Sequence, residues 1–217
     1  MLIDPPLSLA VLPFRAAAHD RLAVYFAERL RESLIAAMRA TREAAIVAPP
    51  HRGDMRTVAT MYGARYAITG SVRGSGAALR VFVELSHAGS GVLIWSSVLE
   101  TRDLMLFDAQ DQIAGQIVTA LTPRVHFAEL ARIRGKHPAH MSAYDCVLQA
   151  RALMYRFSDP SFREAGVLLR QALAMEPTHP VARRLYGDWQ RLWADPPRVS
   201  DVDPVVSEPR AEAMARA

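Results

Sequence analysis

The chain has 217 residues, 51% of them hydrophobic and 22% charged, which is enough apolar material for one full core and a smaller helical appendage. Mean hydropathy is +0.04, and no apolar run approaches the roughly 20 residues of a membrane-spanning helix, so a soluble chain is expected. A single cysteine, Cys146, excludes an intramolecular disulfide and a thiolate zinc cluster and fits a reducing cytoplasm, while the net charge of +4 comes from arginines interleaved with acids along helices, a pattern that argues against a nucleic-acid partner.

Met1 to Pro6 lacks a basic n-region and carries Asp4, so no export signal is expected. Ser8 to Phe14 (SLAVLPF) is short, apolar and closed by Pro13, which predicts a buried opening strand. A helix follows, capped by Asp20, with Leu22, Phe26, Leu30 and Leu34 recurring every fourth residue on one face. Ala44 to Ala48 is a second short strand stopped by Pro49 and Pro50. A shorter helix starts near Asp54, presents Val58, Ala59 and Tyr62, and ends at Gly63, where a left-handed cap is wanted.

Tyr66 to Val72 (YAITGSV) leads through Gly74-Ser75-Gly76, a turn signal, into Leu79, Val81, Val83 and Leu85, which alternate with Arg80, Phe82, Glu84 and Ser86 and predict a hairpin. A second turn at Gly89-Ser90-Gly91 opens Val92 to Leu99. Its first half is apolar on both faces, which predicts an interior or well-covered strand. The period then becomes helical, with Ile113, Ala114, Ile117, Val118 and Leu121 on one stripe and Asp108 and Asp111 in the first turns. Thr122-Pro123 reads as an N-cap followed by proline at the first helical position, so a separate helix is expected to run on to Gly135. The order β-α-β-α-β-β-β-α predicts an α/β domain with a mixed sheet, because tight turns join only antiparallel strands.

Gly135 to Ser142 is a polar, proline-containing connector. Beyond it the sequence is helical over Ala143–Phe157, Pro160–Met175 and Pro180–Ala194. From Asp195 the composition turns to Pro, Asp, Ser and Val, and a disordered tail is expected. The domain reading is therefore 1–135 for the α/β domain, 136–142 for the linker, 143–194 for the helices and 195–217 for the tail.

The segments SLAVLPF (8–14), YAITGSVRGSG (66–76), LIW (93–95) and LFDAQDQIA (106–114), in this order and at this spacing, resemble the TolB-like amino-terminal domain over roughly residues 7–135. The resemblance implies a protein-interaction or sensory domain without catalytic residues. Ala165, Leu169, Ala172 and Pro177, followed by Tyr186-Gly187, are similar to the tetratricopeptide pattern, in which small residues let paired helices approach and a proline closes the repeat. The first repeat departs from that pattern, with Ala150 at the glycine position. Proteins of this arrangement often carry a class III nucleotide cyclase or a winged-helix domain ahead of it; neither precedes Leu7, so neither activity is expected of this chain.

The residues offer little catalytic chemistry. Gly70, Gly74 and Gly76 lie in a strand and turn without a following Gly-Lys-Ser/Thr, and no Gly-x-Ser-x-Gly elbow occurs. His137 and His140 flank Pro138 without accompanying thiolates or acids and read as linker histidines; Asp108 and Asp111 read as helix-start acids, and Cys146 as an inert buried thiol. No catalytic, cofactor or metal residues are assigned. About one and a half repeats cannot bury both faces of a repeat array, so Leu185, Trp189, Leu192 and Trp193 are expected to leave an apolar stripe for intramolecular docking, a second copy or a partner. The candidate protein-binding residues are Tyr144, Arg151, Arg184, Asp188, Trp189, Arg191 and Trp193. The expected function is a non-enzymatic protein-interaction or sensory module of a bacterial signalling system, cytoplasmic, with another protein or peptide as partner and homo-oligomerisation through the terminal helices as a further outcome. The alternative is the regulatory part of a class III adenylate/guanylate cyclase system or of a winged-helix transcription regulator.

Overall fold

The computed structural model describes residues 7–41, 44–51, 53–75, 78–102, 109–156 and 158–194. Asp108, Gly76, Phe157 and the 195–217 tail, all named above, lie outside the described residues. The chain divides into two compact units, Met1–Lys136 and His137–Ala217.

The first unit is a five-stranded mixed sheet in the order β2-β1-β3-β4-β5, with β1 Ser8–Val11, β2 Ala45–Val47, β3 Tyr66–Ser75, β4 Ala78–His87 and β5 Leu93–Thr101. The β1 strand runs parallel to both β2 and β3, through Leu9↔Ile46 and Ala10↔Ala67. The β3-β4-β5 meander is antiparallel, as tight connections require. Its helices are α1 Arg21–Thr41, α2 Met55–Tyr62 and α3 Ala109–Ile133. One sheet face presents Leu9, Val11, Tyr66, Ile68, Val81, Val83 and Leu85, all buried, towards α1 and α3. On the other face Ala10, Leu12, Ala67 and Ala88 pack with Val58 of α2.

Local chemistry accounts for these elements. Asp20 Oδ1 accepts from the Ala23 amide at 2.9 Å and caps α1, while Asp54 Oδ1 accepts from the Thr57 amide at 2.9 Å and caps α2. Hydrogen bonds from the Thr57 amide and then its hydroxyl hold the Asp54 carboxyl below its usual range. Gly63 closes α2 in the left-handed conformation, φ 61°. At Gly70 a Cβ would stand 2.6 Å from the Phe82 carbonyl oxygen and 2.8 Å from the Phe14 ring, so only glycine lets β3 pair there. Arg31 of α1 reaches under the sheet end, donating from Nε to the Val11 carbonyl (3.1 Å) and from Nη2 to that of Pro49 (2.6 Å); burial lowers its pKa.

Four sequence expectations are corrected. There is no second helix at Thr122-Pro123: α3 is continuous from Ala109 to Ile133 with Pro123 inside it. Thr122 does not cap; its hydroxyl donates back to the Val118 carbonyl at 2.8 Å, and the stripe Ile117, Leu121, Val125, Ile133 buried along one side holds the helix through the proline. β5 is an edge strand, not an interior one, with Val92, Leu93 and Val98 exposed (61%, 53% and 55%), because its neighbours in sequence pair it to β4 alone. β3 continues to Ser75, so Gly74-Ser75 pair with β4 instead of turning. Leu22 on α1 is exposed, while Phe26, Leu30 and Leu34 enter the core as expected.

Among its described residues the second unit holds a 3-10 turn at Pro138–His140 and three helices, α4 Ala143–Met154, α5 Asp159–Met175 and α6 Pro180–Ala194. Ser142 and Asp145 form a reciprocal capping box at the start of α4, with Ser142 Oγ accepting from the Asp145 amide and Asp145 Oδ2 from the Ser142 amide, both at 3.2 Å. Ala143, Cys146, Ala150, Leu153, Ala165, Leu169, Ala172, Ala182 and Leu185 make its core. The many alanines let the three axes approach closely.

Candidate functional site

Two side-chain constellations stand out, one in each unit. In the sheet unit Glu129 falls on the buried stripe of α3, four residues after Val125 and four before Ile133, and is 0% exposed. A bare carboxylate there would be prohibitive, and the fold supplies partners. Arg65 Nη1 lies 2.6 Å from Oε2, the Tyr66 hydroxyl donates to Oε1 at 2.7 Å, and Arg132 donates from Nη2 to Oε2 at 3.0 Å and from Nε to Oε1 at 3.2 Å. Burial, then the hydrogen bond to Glu129 and its charge, raises the Tyr66 pKa. Ser8 anchors the same corner, its hydroxyl donating to the Gly63 carbonyl at 2.6 Å and accepting from the Arg65 amide at 3.1 Å. The His87 ring stands edge-on to Tyr66 at 5.6 Å. Both Glu129 oxygens are saturated by protein donors, so the cluster joins α3 to β3 and offers no carboxylate to a substrate.

In the helical unit the seam between α5 and α6 is built of aromatic rings. Tyr186, Trp189 and Trp193 recur at helical spacing along α6. Their near-parallel rings stack at 5.7 Å from Tyr186 to Trp189 and 5.7 Å from Trp189 to Trp193. Phe162 of α5 completes the stack, 5.9 Å from Trp189 and 6.0 Å from Trp193. Trp189 Nε1 donates to the Phe162 carbonyl at 2.7 Å. The indole lies so close over α5 that a Cβ at Gly166 would stand 2.3 Å from Trp189 Cζ2. Arg170 Cζ sits 5.8 Å from the Trp189 ring centroid and Arg163 Cζ 6.0 Å from that of Trp193. Trp193 and Leu192 remain 48% and 40% exposed.

Of the seven candidate residues, Trp189 and Trp193 meet in this stack, and Arg191 pairs with Asp188 through Nη2 and Oδ1. Tyr144 and Arg151 stand seven residues apart on one side of α4, half-buried, and Arg184 is exposed on α6. The expected apolar stripe of α6 is split: Leu185 is in the core and Trp189 is wedged against Gly166, so the exposed remainder is Leu192 and Trp193. Phe162, Arg163, Gly166 and Arg170 were not among the candidate residues, and Tyr186 was named only for its place in the repeat pattern. The Tyr186, Trp189, Trp193 spacing and a glycine inside α5 were the available signals.

The other sequence candidates are placed plainly. Cys146 is buried in the helical core, and burial, then the charge of Asp145, pushes its thiol up to about 11. The rings of His137 and His140 lie 6.0 Å apart, and His137 Nδ1 accepts from the Ala139 amide at 3.3 Å. Asp111 lies in the first turn of α3 and lines, with Arg29, Glu32 and Ser33, a shallow cleft against α1 in which Arg29 and Glu32 pair at 2.7 Å. Among the described residues no three His, Cys, Asp or Glu side chains gather as a metal site requires, and no helix is long and apolar enough to cross a membrane.

Fold and site together define a mixed α/β sheet unit and a three-helix unit with an arginine-flanked aromatic seam. No protein-family model matches the chain. Over 177 residues it is 27% identical to a protein of Rhizobium meliloti (strain 1021) provisionally named adenylate cyclase 3, a match covering 78% of this chain and 30% of that protein. The chain thus spans less than a third of that relative's length. Among solved structures it is similar to the PelC dodecamer from Paraburkholderia phytofirmans, at 18% identity and a TM-score of 0.40, over 55% of this chain and 87% of that one. It is similar to TolB from Acinetobacter baumannii at 12% identity and 0.39, over 55% and 29%, and to the LpoB C-terminal domain from Escherichia coli at 18% and 0.36, over 46% and 86%.

Proposed function

We propose that this chain is a protein-binding module of a cytoplasmic bacterial signalling or regulatory system, a TolB-like sheet domain with tetratricopeptide-like helices that acts by contact and not by chemistry of its own. The observation that carries the reading is the α5–α6 seam, where a half-exposed Trp193 stands beside Leu192 with Arg163 over its ring. Tryptophan and arginine on a rigid platform are the residue types that dominate binding energy at protein interfaces. The saturated Glu129 cluster supports the same reading, since the most deeply buried acid of the sheet unit is engaged in joining elements.

The test is affinity capture from a bacterial lysate on the full chain and on Trp193→Asp, read by quantitative mass spectrometry, with circular dichroism as the folding control. Trp193 is the position to change because Trp189 also serves the unit's own packing. A protein enriched on the wild type and lost on the folded variant is expected. Equal recovery on both removes the seam from the account.

A second reading is favoured by the Rhizobium meliloti relative: the module is a regulatory part of a nucleotide cyclase system, the cyclase chemistry lying outside it. Replacing the matching segment of that relative with this chain and measuring cyclic AMP formation tests it. Regulated synthesis that Trp193→Asp abolishes is expected, and synthesis indifferent to the exchange and to the variant contradicts it.

A further inference from the structure

We propose that the α5–α6 seam takes an acidic peptide segment in extended form, with one carboxylate on Arg163 and a second on Arg170. This deepens the binding-module reading and rests on it. Arg163 and Arg170 are seven residues apart on α5, which sets them about 10.5 Å apart along one helix face. Both are exposed, and each is held over an indole. A guanidinium over a ring face keeps its in-plane N–H donors, the ones that grip a carboxylate in two parallel hydrogen bonds. The ring also fixes the long side chain in advance, so less freedom is lost when a ligand arrives.

Other arginines also lack a carboxylate partner; what distinguishes these two is that both stand over the stacked indoles of one seam. Arg29 pairs with Glu32, Arg80 and Arg102 with Glu100, Arg65 and Arg132 with Glu129, and Arg191 with Asp188. Neither Arg163 nor Arg170 lies within ion-pair distance of a carboxylate among the described residues. Asp159, four residues before Arg163 on α5, shares its side of the helix without pairing to it. Two unmatched, preset cations on an aromatic platform fit a ligand that brings two carboxylates and little else. Three residues of polyproline II chain make one full turn, span about 9 Å and return to the same face, so acids at positions i and i+3 of the partner match the pair. Nucleic acid fits less well, because two guanidiniums fall short of the six to ten phosphate contacts, roughly, that sustain binding.

The experiment is fluorescence anisotropy at low salt with the full chain and labelled ten-residue peptides of alanine and serine. One carries two glutamates three residues apart, one carries them adjacent, and one has both replaced by glutamine; labelled oligothymidylate is the fourth probe. The i, i+3 peptide is expected to bind most tightly and the glutamine peptide not at all. Arg163→Gln and Arg170→Gln, both at exposed positions, are each expected to weaken the i, i+3 peptide about tenfold. Equal affinity for all three peptides, affinity unchanged in both arginine variants, or binding of oligothymidylate in their place overturns the proposal. Failure of the acidic peptide while a protein is still captured through Trp193 removes the acidic partner and leaves the binding module standing.

Discussion

Glu129 shows what one residue does when an acid occupies a core position. Its carboxylate is fully buried and accepts from Arg65, Arg132 and the Tyr66 hydroxyl. Glu129→Gln leaves the Arg65 charge buried at 2.6 Å from a neutral amide and is expected to cost about 3–5 kcal/mol in chemical denaturation. Tyr66→Phe removes one donor and costs less, about 1–3 kcal/mol. A Glu129→Gln protein as stable as wild type would contradict the structural role given to this cluster. Cys146 carries the second prediction at this scale. Its thiol is raised from 9.0 to about 11 by burial first and Asp145 second. A group raised in the folded state gives stability that is complete below its unfolded value and is lost as the pH climbs through the folded one. The melting temperature should therefore fall between pH 9 and 11, and the fall should be smaller in Cys146→Ala. Tyr66 titrates in the same direction in both proteins, so it drops out of that comparison.

At the scale of elements, α3 gives the sharpest prediction. Pro123 is exposed, donates no amide hydrogen bond and sits in the interior of a 25-residue helix. Pro123→Ala restores the missing donor without removing packing and should stabilise the protein by up to about 3 kcal/mol, read as a higher denaturation midpoint. A neutral or destabilising result would mean that the proline serves the fold at that point. The same position explains where sequence reasoning failed. Threonine before proline is a helix-start signal, and local chemistry alone allows a break there. The stripe from Ile113 to Ile133 decides otherwise, because its burial against the sheet outweighs the local preference. The β5 strand failed for the opposite reason. Apolar residues on both faces predicted two covered sides, but Val92, Leu93 and Val98 are exposed at an edge that the order of strands determines, and strand order is a property of the whole sheet. Where the governing interaction was local the reading was accurate: the Asp20 and Asp54 caps, the Gly63 terminus and the two antiparallel connections follow from residues within a few positions of each other.

For the whole molecule, the alternation of β and α periods followed by a purely helical stretch made a mixed-sheet domain and a helical segment legible. The candidate site was legible only in part. Trp189, Trp193, Asp188 and Arg191 were named from the α6 sequence, and the structure joins them in two pairs. Phe162, Gly166, Arg163 and Arg170 come from α5, and their relation to the tryptophans exists only once the two helices pack. The Glu129 cluster was hidden for the same reason, its members drawn from the start of β3 and the far end of α3. Buried charge holds the sheet unit together, and we propose that the α5–α6 seam meets another protein. Amide hydrogen exchange tests it most directly, on the full chain free and saturated with the protein that wild type captures and Trp193→Asp does not. Slowed exchange over residues 159–194 is the result predicted; slowing confined to residues 7–133, or none, would contradict it.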